Sequence, residues 1–286
     1  MINERFISEV ERSGLYKGDF QKIAIEFAEY QKLAMDTLKE FHRICIKNNI
    51  KYQLAYGSLL GAIRDGGQIP WDYDIDVFVL SEDRGKLISA LESDMDNKFY
   101  LYSVETDKHC RHFISRMAPK GFDTSVLHVD IFYLMGSKKQ DLVHLQSDIK
   151  KLALLYKAKH FKMTDPDAKS KRELLLMFKN KVMGMFSSSD DIARKYFLLS
   201  LKYKIKEADY LISADRFSDW YKFTPDIFKD TKIISTQDGE FIIPENYAEI
   251  LKQIYGDYMQ LPSLETRLKD MLKHYKNLKA KCPLVK

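Results

Sequence analysis

Asp74 and Asp76 stand two residues apart in the run Tyr73-Asp74-Ile75-Asp76-Val77-Phe78-Val79. On extended backbone, side chains two apart share a face, so the two carboxylates project together while Ile75 and Val77 point into a core. Like charges at that spacing repel, and a buried pair would take up a proton unless a cation stood between them. A divalent cation resolves the conflict, and Mg²⁺ (or Mn²⁺) suits carboxylate oxygens shared with substrate phosphates. A solvated Asp pair at a strand end is the plain alternative, since any Asp-x-Asp has this spacing.

Three further features bear on that choice. Gly57-Ser58 lies after a short apolar run and at the start of a helical segment, where backbone N–H groups lack partners and a phosphate can approach a small residue. An ordinary turn glycine followed by an N-cap serine reads the same way. Asp130, in His-Val-Asp-Ile-Phe, offers a third acid if its strand neighbours the first; three carboxylates there could hold two ions, or one of them could accept a hydroxyl proton. Arg64 is a planar cation suited to a phosphate oxygen pair, or else a partner for Asp65 or Asp72.

Other chemistries find less support. His109-Cys110-Arg111-His112 supplies at most three zinc ligands on a strand whose neighbours face opposite ways, with no second cluster. Gly57 to Gly61 lacks the Gly-x-Ser-x-Gly spacing of a nucleophile elbow, and Gly61 to Gly67 lacks the Gly-Lys-Ser/Thr ending of a P-loop.

The elements that must position these residues can be read from periodicity. Ile23, Phe27, Tyr30, Leu33, Leu38, Phe41 and Cys45 recur at helical steps from Asp19 to Asn49. A short strand follows over Lys51–Ala55, then a helical turn over Ser58–Arg64, a Gly/Pro-broken loop and a strand over Asp74–Leu80. A helix is expected over Asp83–Asp94, with strands at Phe99–Val104, His112–Met117 and Val126–Leu134. From Ser137 to about Tyr210 the pattern is helical, punctuated by Asp165-Pro166 and the Ser187–Asp190 cap. Lys232–Ser235 and Glu240–Ile243 flank Asp238-Gly239 as a hairpin, before helices at Tyr247–Tyr255 and Ser263–Leu278.

Composition agrees with a folded α/β protein: 286 residues, 45% hydrophobic, with 17 Tyr and 17 Phe, which excludes a disordered or collagen-like chain. No apolar run is long enough to span a membrane, and Glu4, Glu9 and Glu11 oppose a signal peptide, so a cytoplasmic chain is expected. Three widely spaced cysteines fit reduced thiols. Net charge is +5, and Lys138–Lys222 holds 19 Lys/Arg against 11 Asp/Glu, a local +8. That block is either a solvated helical surface or a site for a polyanion, a phosphate-bearing substrate or an anionic membrane face.

The run GSLLGAIRDGGQIPWDYDIDV closely resembles the signature of the LicD family, related to fukutin within the nucleotidyltransferase superfamily. VDIF and IIPENYAEILKQIYGDYMQLP fit the same pattern, so the resemblance covers roughly Phe41 to His274. It implies metal-dependent transfer of a substituted phosphate, phosphocholine or similar, from a CDP-linked alcohol to a cell-surface glycan or lipid-linked precursor, with CMP leaving and no nucleic-acid partner. By the match, Gly57 and Ser58 correspond to the phosphate loop, Asp74 and Asp76 to the metal carboxylates, and Asp130 to the third acid. Arg116 is a second phosphate cation, and Asp72 and Asp257 are supporting residues; Tyr255 and Tyr258 are structural or donor-contacting. Tyr73 departs from the family's WDDDID, and Asp65 stands where a His is common.

The expectation is therefore a nucleotidyltransferase-like mixed sheet flanked by helices. Residues 1–50 form a helical segment packed on a catalytic core at 51–136, a basic helical insertion spans 137–230, and 231–286 completes the domain. Transfer of a nucleoside monophosphate with pyrophosphate leaving, or a non-catalytic glycan- or membrane-binding module, would use the same residues. The membrane contact, if made, is expected at the inner face.

Overall fold

The computed structural model describes residues 4–161, 171–184, 187–214 and 221–284. Asp19 starts its longest helix, α2 (Phe20–Lys47), by accepting a hydrogen bond from the Lys22 N–H at 2.9 Å. Ala24, Phe27, Tyr30, Ala34, Leu38, Phe41 and Cys45 of α2 are buried, so the expected stripe faces the core. A short helix, α1 (Glu4–Ser13), packs across α2 and reaches α9 (Leu264–Lys281) through an Arg267–Glu9 ion pair of 3.0 Å.

The sheet combines β1 (Tyr52–Leu54), β2 (Ile75–Leu80), β3 (Phe99–Tyr102), β4 (Ser115–Pro119), β5 (Val129–Ser137), β6 (Tyr210–Ser213) and β7 (Lys222–Phe223). β2 lies between antiparallel β1 and parallel β5. On the edge of β5 away from β2, β4 pairs with Val129–Ile131 and β6 with Leu134–Ser137. Strands buried on both faces read as continuous apolar runs, which is the pattern of Val77–Leu80 and Ile131–Met135. The crossover between β2 and β5 carries α4 (Arg84–Asp94), β3 and β4.

Two expectations shift. The strand foreseen at His112–Met117 starts at Ser115, because the preceding residues are folded inward: Cys110 Sγ donates to the His112 carbonyl, and Arg84 Nη1 to the Phe113 carbonyl at 2.5 Å. Within the span expected as a helical insertion, α5 (Leu142–Lys159), α6 (Lys171–Met183) and α7 (Ser189–Ser200) are helical, but Tyr210–Ser213 and Lys222–Phe223 return to the main sheet. Short strands after long helices carry too few residues for a period-2 signal. The Asp165-Pro166 turn lies outside the described residues. The helical layer joins the sheet through aromatic contacts, with Phe113 stacked on Tyr196 at 3.6 Å and Arg84 over Tyr133 and Phe197.

β8 (Thr231–Thr236) and β9 (Gly239–Pro244) form the expected hairpin, with Gln237-Asp238 rather than Asp238-Gly239 at its tip. That tip sits on the loop leading to Asp74: Asp238 Oδ2 accepts from the Gln68 N–H at 2.9 Å, and Gln237 N–H donates to the Gly66 carbonyl at 3.0 Å. From the other side, Gln31 Nε2 on α2 donates to the carbonyls of Ile69 and Asp72 at 3.0 and 2.6 Å. α3 (Tyr56–Arg64) closes the clamp, and the approach is close enough that a Cβ on Gly61 would stand 2.5 Å from the Gly67 carbonyl oxygen and 3.0 Å from the Ile69 nitrogen. α8 (Tyr247–Tyr255) ends at Gly256, whose φ of 68° lies in the left-handed region that favours glycine. No helix among the described residues is long and apolar enough to cross a membrane, and Cys45, Cys110 and Cys282 are free thiols.

Gly61→Ala should therefore push α3 off the loop and cost about 1–3 kcal/mol, as overpacking against backbone does. Gly85→Ala, with nothing within 4 Å of the added methyl, should cost nothing or stabilise. Urea denaturation of the two variants checks the contrast; equal midpoints would show that the clamp is not tight.

Candidate active site

Parallel register places Asp76 of β2 directly beside Asp130 of β5, and antiparallel register places Asp130 beside Arg116 of β4 and Arg116 beside Tyr102 of β3. Register partners project from one face, so these side chains form a row across the sheet. Asp74, two residues before Asp76, adds its carboxylate at the mouth of that row, while Ile75 and Val77 are buried at 2% and 0% exposure behind it. Of the three acids foreseen from sequence, Asp76 and Asp130 are register partners on adjacent strands, and Asp74 lies just before β2.

The backbone of Asp76 is fixed twice. Its N–H donates to Ser58 Oγ and its carbonyl accepts from the Ala55 N–H, both at 2.9 Å. Ser58 lies inside the first turn of α3, whose cap is Ala55, so its oxygen serves the strand and its proton stays available to donate. Tyr56 opens the helix at φ 42°, a strained position for a residue with a Cβ, held by packing on Phe78, Phe132 and Tyr221. Next to it, a Cβ on Gly57 would meet Asp72 Oδ2 at 3.7 Å, so the glycine leaves space beside the acids. Asp72 Oδ1 accepts from the N–H groups of Tyr73 and Asp74 at 2.8 and 3.2 Å, which ties its carboxylate to the turn before β2.

The acids divide by their partners. Asp130 receives Arg116 Nε on Oδ1 at 2.7 Å and faces His128 Nε2 from Oδ2 at 3.2 Å. Burial would raise its carboxyl, but His128 and Arg116 outweigh burial and hold it well below the usual carboxylate range. Asp74 keeps solvent-exposed surface, yet the protein atoms crowded around it, then the charges of Asp72 and Asp130, push it up to about 7. Burial, followed by Asp130 and Asp74, drives Asp76 well above the usual range. Arg116 lowers both members of this pair but is bound to Asp130.

Arg64 takes the structural alternative: Nε and Nη2 donate to Asp65 Oδ2 at 3.1 and 2.8 Å, and the guanidinium lies over Trp71 with its side chain 7% exposed. It is not presented as an open phosphate cation. Trp71 is held between Arg64 and Arg267, which anchors the loop rather than the ligand. Asp257 is exposed in the turn after α8, where its carbonyl accepts from the Gln260 N–H. Tyr255, at the end of α8, has its hydroxyl raised by burial and then by the charges of Asp76 and Asp72.

His128 and His274 went unread. His128 sits two residues before Asp130 on one strand face, so alternation alone would have placed it in the row. Its Nδ1 is buried without a partner among the described residues. His274 comes from α9, its Nε2 4.0 Å from Asp72 Oδ1, and no local pattern announces that contact. In the His109–His112 run, His112 packs against Tyr102 and donates from Nδ1 to the Ile114 carbonyl at 2.9 Å; burial and then Arg116 pull it down to about 3. Among the described residues, no three His, Cys, Asp or Glu side chains already converge as a metal cage. What fits a cation here is the pair Asp74/Asp76, hard oxygens in excess of positive charge beside the open space at Gly57.

Residues 49–151 match the family model described as LicD/FKTN/FKRP, nucleotidyltransferase domain, and that span holds every acid of the row. Residues 49–151 are thus a domain of the LicD type. It is similar to the lipopolysaccharide cholinephosphotransferase LicD of Haemophilus influenzae, 26% identical over 254 residues that cover 83% of this chain and 92% of that protein. A local likeness of 56% over 36 residues links it to the human ribitol 5-phosphate transferase FKRP, covering 13% of this chain and 7% of that one. An uncharacterized protein of Rickettsia prowazekii is 48% identical over 46 residues, 16% of this chain and 17% of its own.

The opposed environments of the acids make opposite signs in stability. A carboxyl whose folded pKa is raised has no effect below about pH 4, where folded and unfolded chains both hold the proton, and opposes folding as pH climbs above that. Asp76→Asn should therefore melt above the wild type at pH 8, with the gain gone by pH 4. Asp130, held low, stabilises above about pH 4 and loses that contribution as pH falls, so Asp130→Asn should melt below the wild type at pH 7 and converge with it in acid. Thermal unfolding of both variants from pH 3 to 8 checks this; two shifts of one sign would mean that the row is not electrostatically divided.

Proposed function

We propose that this chain transfers a substituted phosphate, phosphocholine or a related alcohol phosphate, from a CDP-linked donor to a glycan or glycan precursor, releasing CMP. The observation that carries the reading is the row Asp74, Asp76, Asp130 and Arg116 at the first turn of α3. The long likeness to a cholinephosphotransferase and the local likeness to a ribitol 5-phosphate transferase agree on transfer of an alcohol phosphate.

The donor's diphosphate meets the first-turn N–H groups of Gly57 and Ser58, which have no partners within their own helix, and the Ser58 hydroxyl proton. Asp74 and Asp76 would hold Mg²⁺ or Mn²⁺; the cation, when bound, supplies neutralising charge to the phosphate oxygens and the departing CMP. A raised carboxyl pair is the state expected of ligands awaiting such an ion, since metal binding requires the deprotonated form. Asp130 takes a different part. Its low pKa makes it a weak acceptor for a hydroxyl proton, and its two oxygens are turned to Arg116 and His128, so it holds these two side chains, the Arg116 guanidinium among them, beside the transferring phosphate.

Incubation with CDP-choline, CDP-ribitol or CDP-glycerol and Mg²⁺, with glycan acceptors, should release CMP. Asp74→Asn and Asp76→Asn should each lower the rate at least about 100-fold, as loss of one charge-stabilising group does. Mg²⁺ should raise the Tm of the wild type and not of either variant. Pyrophosphate release from CTP in place of CMP would replace this reading with nucleotidyl transfer, and unimpaired variants would remove the acids from the reaction.

A further inference from the structure

Between Leu174 and Met183, α6 carries Leu174, Leu175, Leu176, Met177, Phe178, Val182 and Met183. Only Met177, with Leu174 beside it, packs inward, on Leu154, Ala158 and Phe161 of α5 and the residues after it. Leu175, Leu176, Phe178, Val182 and Met183 are between 44% and 70% exposed. At 100° per residue those five cover an arc of about 160° on the side away from Met177. Scattered exposed apolar residues are ordinary, but five on one face of one helix are not.

The surrounding charge says what covers them. Among their described side chains, α5 and α6 together hold Lys150, Lys151, Lys157, Lys159, Lys179 and Lys181 against Asp148, six positive charges to one negative. Two copies of this face would set like charge against like, which disfavours a homodimer as the occupant. An anionic lipid surface complements both features, taking the apolar arc among its acyl chains and the lysines at its headgroups. Lys179 falls within the arc and its long stem lets the ammonium reach the headgroup layer. With 13 residues, α6 is about 20 Å long, too short to span and suited to lying flat.

We infer that α6 is an interfacial helix that seats this protein on an anionic membrane surface, independently of which donor the acid row uses. Cosedimentation of the full chain with phosphatidylcholine vesicles, with and without one-third phosphatidylserine, tests it. Binding should require phosphatidylserine and weaken with salt. Leu175→Gln with Phe178→Gln should lower partitioning at least about tenfold while leaving Tm unchanged, because both side chains are already exposed. Lys179→Gln should lower it roughly fivefold, the factor for one surface charge. Equal binding to neutral and anionic vesicles, no binding to either, or a wild-type dimer in light scattering that the Leu175/Phe178 variant dissolves would each overturn the proposal.

Discussion

The parallel pairing of β2 with β5 is the constraint on which the site depends. It sets Asp76 beside Asp130 at the spacing of neighbouring strands, where two carboxylates repel across a medium that screens them poorly. Such a pairing survives only because the apolar side chains of both strands, Val77, Val79, Ile131 and Tyr133 among them, are buried in the same ladder. Packing holds the strands in register while the charges at their mouth oppose it. One half of the conflict is answered within the protein, since Arg116 and His128 attend to Asp130. The other half, at Asp74 and Asp76, is left to protons or to something brought from outside.

An electrostatically unfavourable loop needs support from elements remote in sequence, and the loop from Asp65 to Asp74 has it on three sides. Gln31 from α2, Gly61 from α3 and Gln237-Asp238 from the hairpin all meet its backbone, while Trp71 is pinned between two guanidinium groups. The glycines of GSLLGAIRDGG divide accordingly. Gly61 serves close approach to the loop backbone and Gly67 makes room for the side chains of Gln237 and Asp238, whereas Gly57 borders Asp72. A glycine-rich run that looks like one phosphate loop is therefore mostly a packing device with a single residue at the site.

What the chain reveals by itself follows the range of the physics. Strand alternation placed Asp74 and Asp76 on one face, and helical periodicity located α2 and α3, because both signals are local. That Asp130 joins them depended on strand order, which the residues leave open and the structure supplies. The partner of Arg64 was one of several within reach, and the buried contact with Asp65 won because Trp71 and Arg267 close over it. β6 and β7 escaped notice since strands of four and two residues leave no periodic trace. His274 reaches Asp72 from about 200 residues away, which no spacing rule encodes.

The sorting of charge within the row also limits what it can bind. A ligand carrying only positive charge would be drawn to Asp74 and Asp76 but meet Arg116 beside Asp130; one carrying only negative charge would meet the reverse. On the function proposed above, a phosphate accompanied by a divalent cation would satisfy both ends, with Asp74 and Asp76 holding the metal and Arg116 and the first turn of α3 facing the phosphate. The polarity of the row follows from the register of three strands rather than from any single residue.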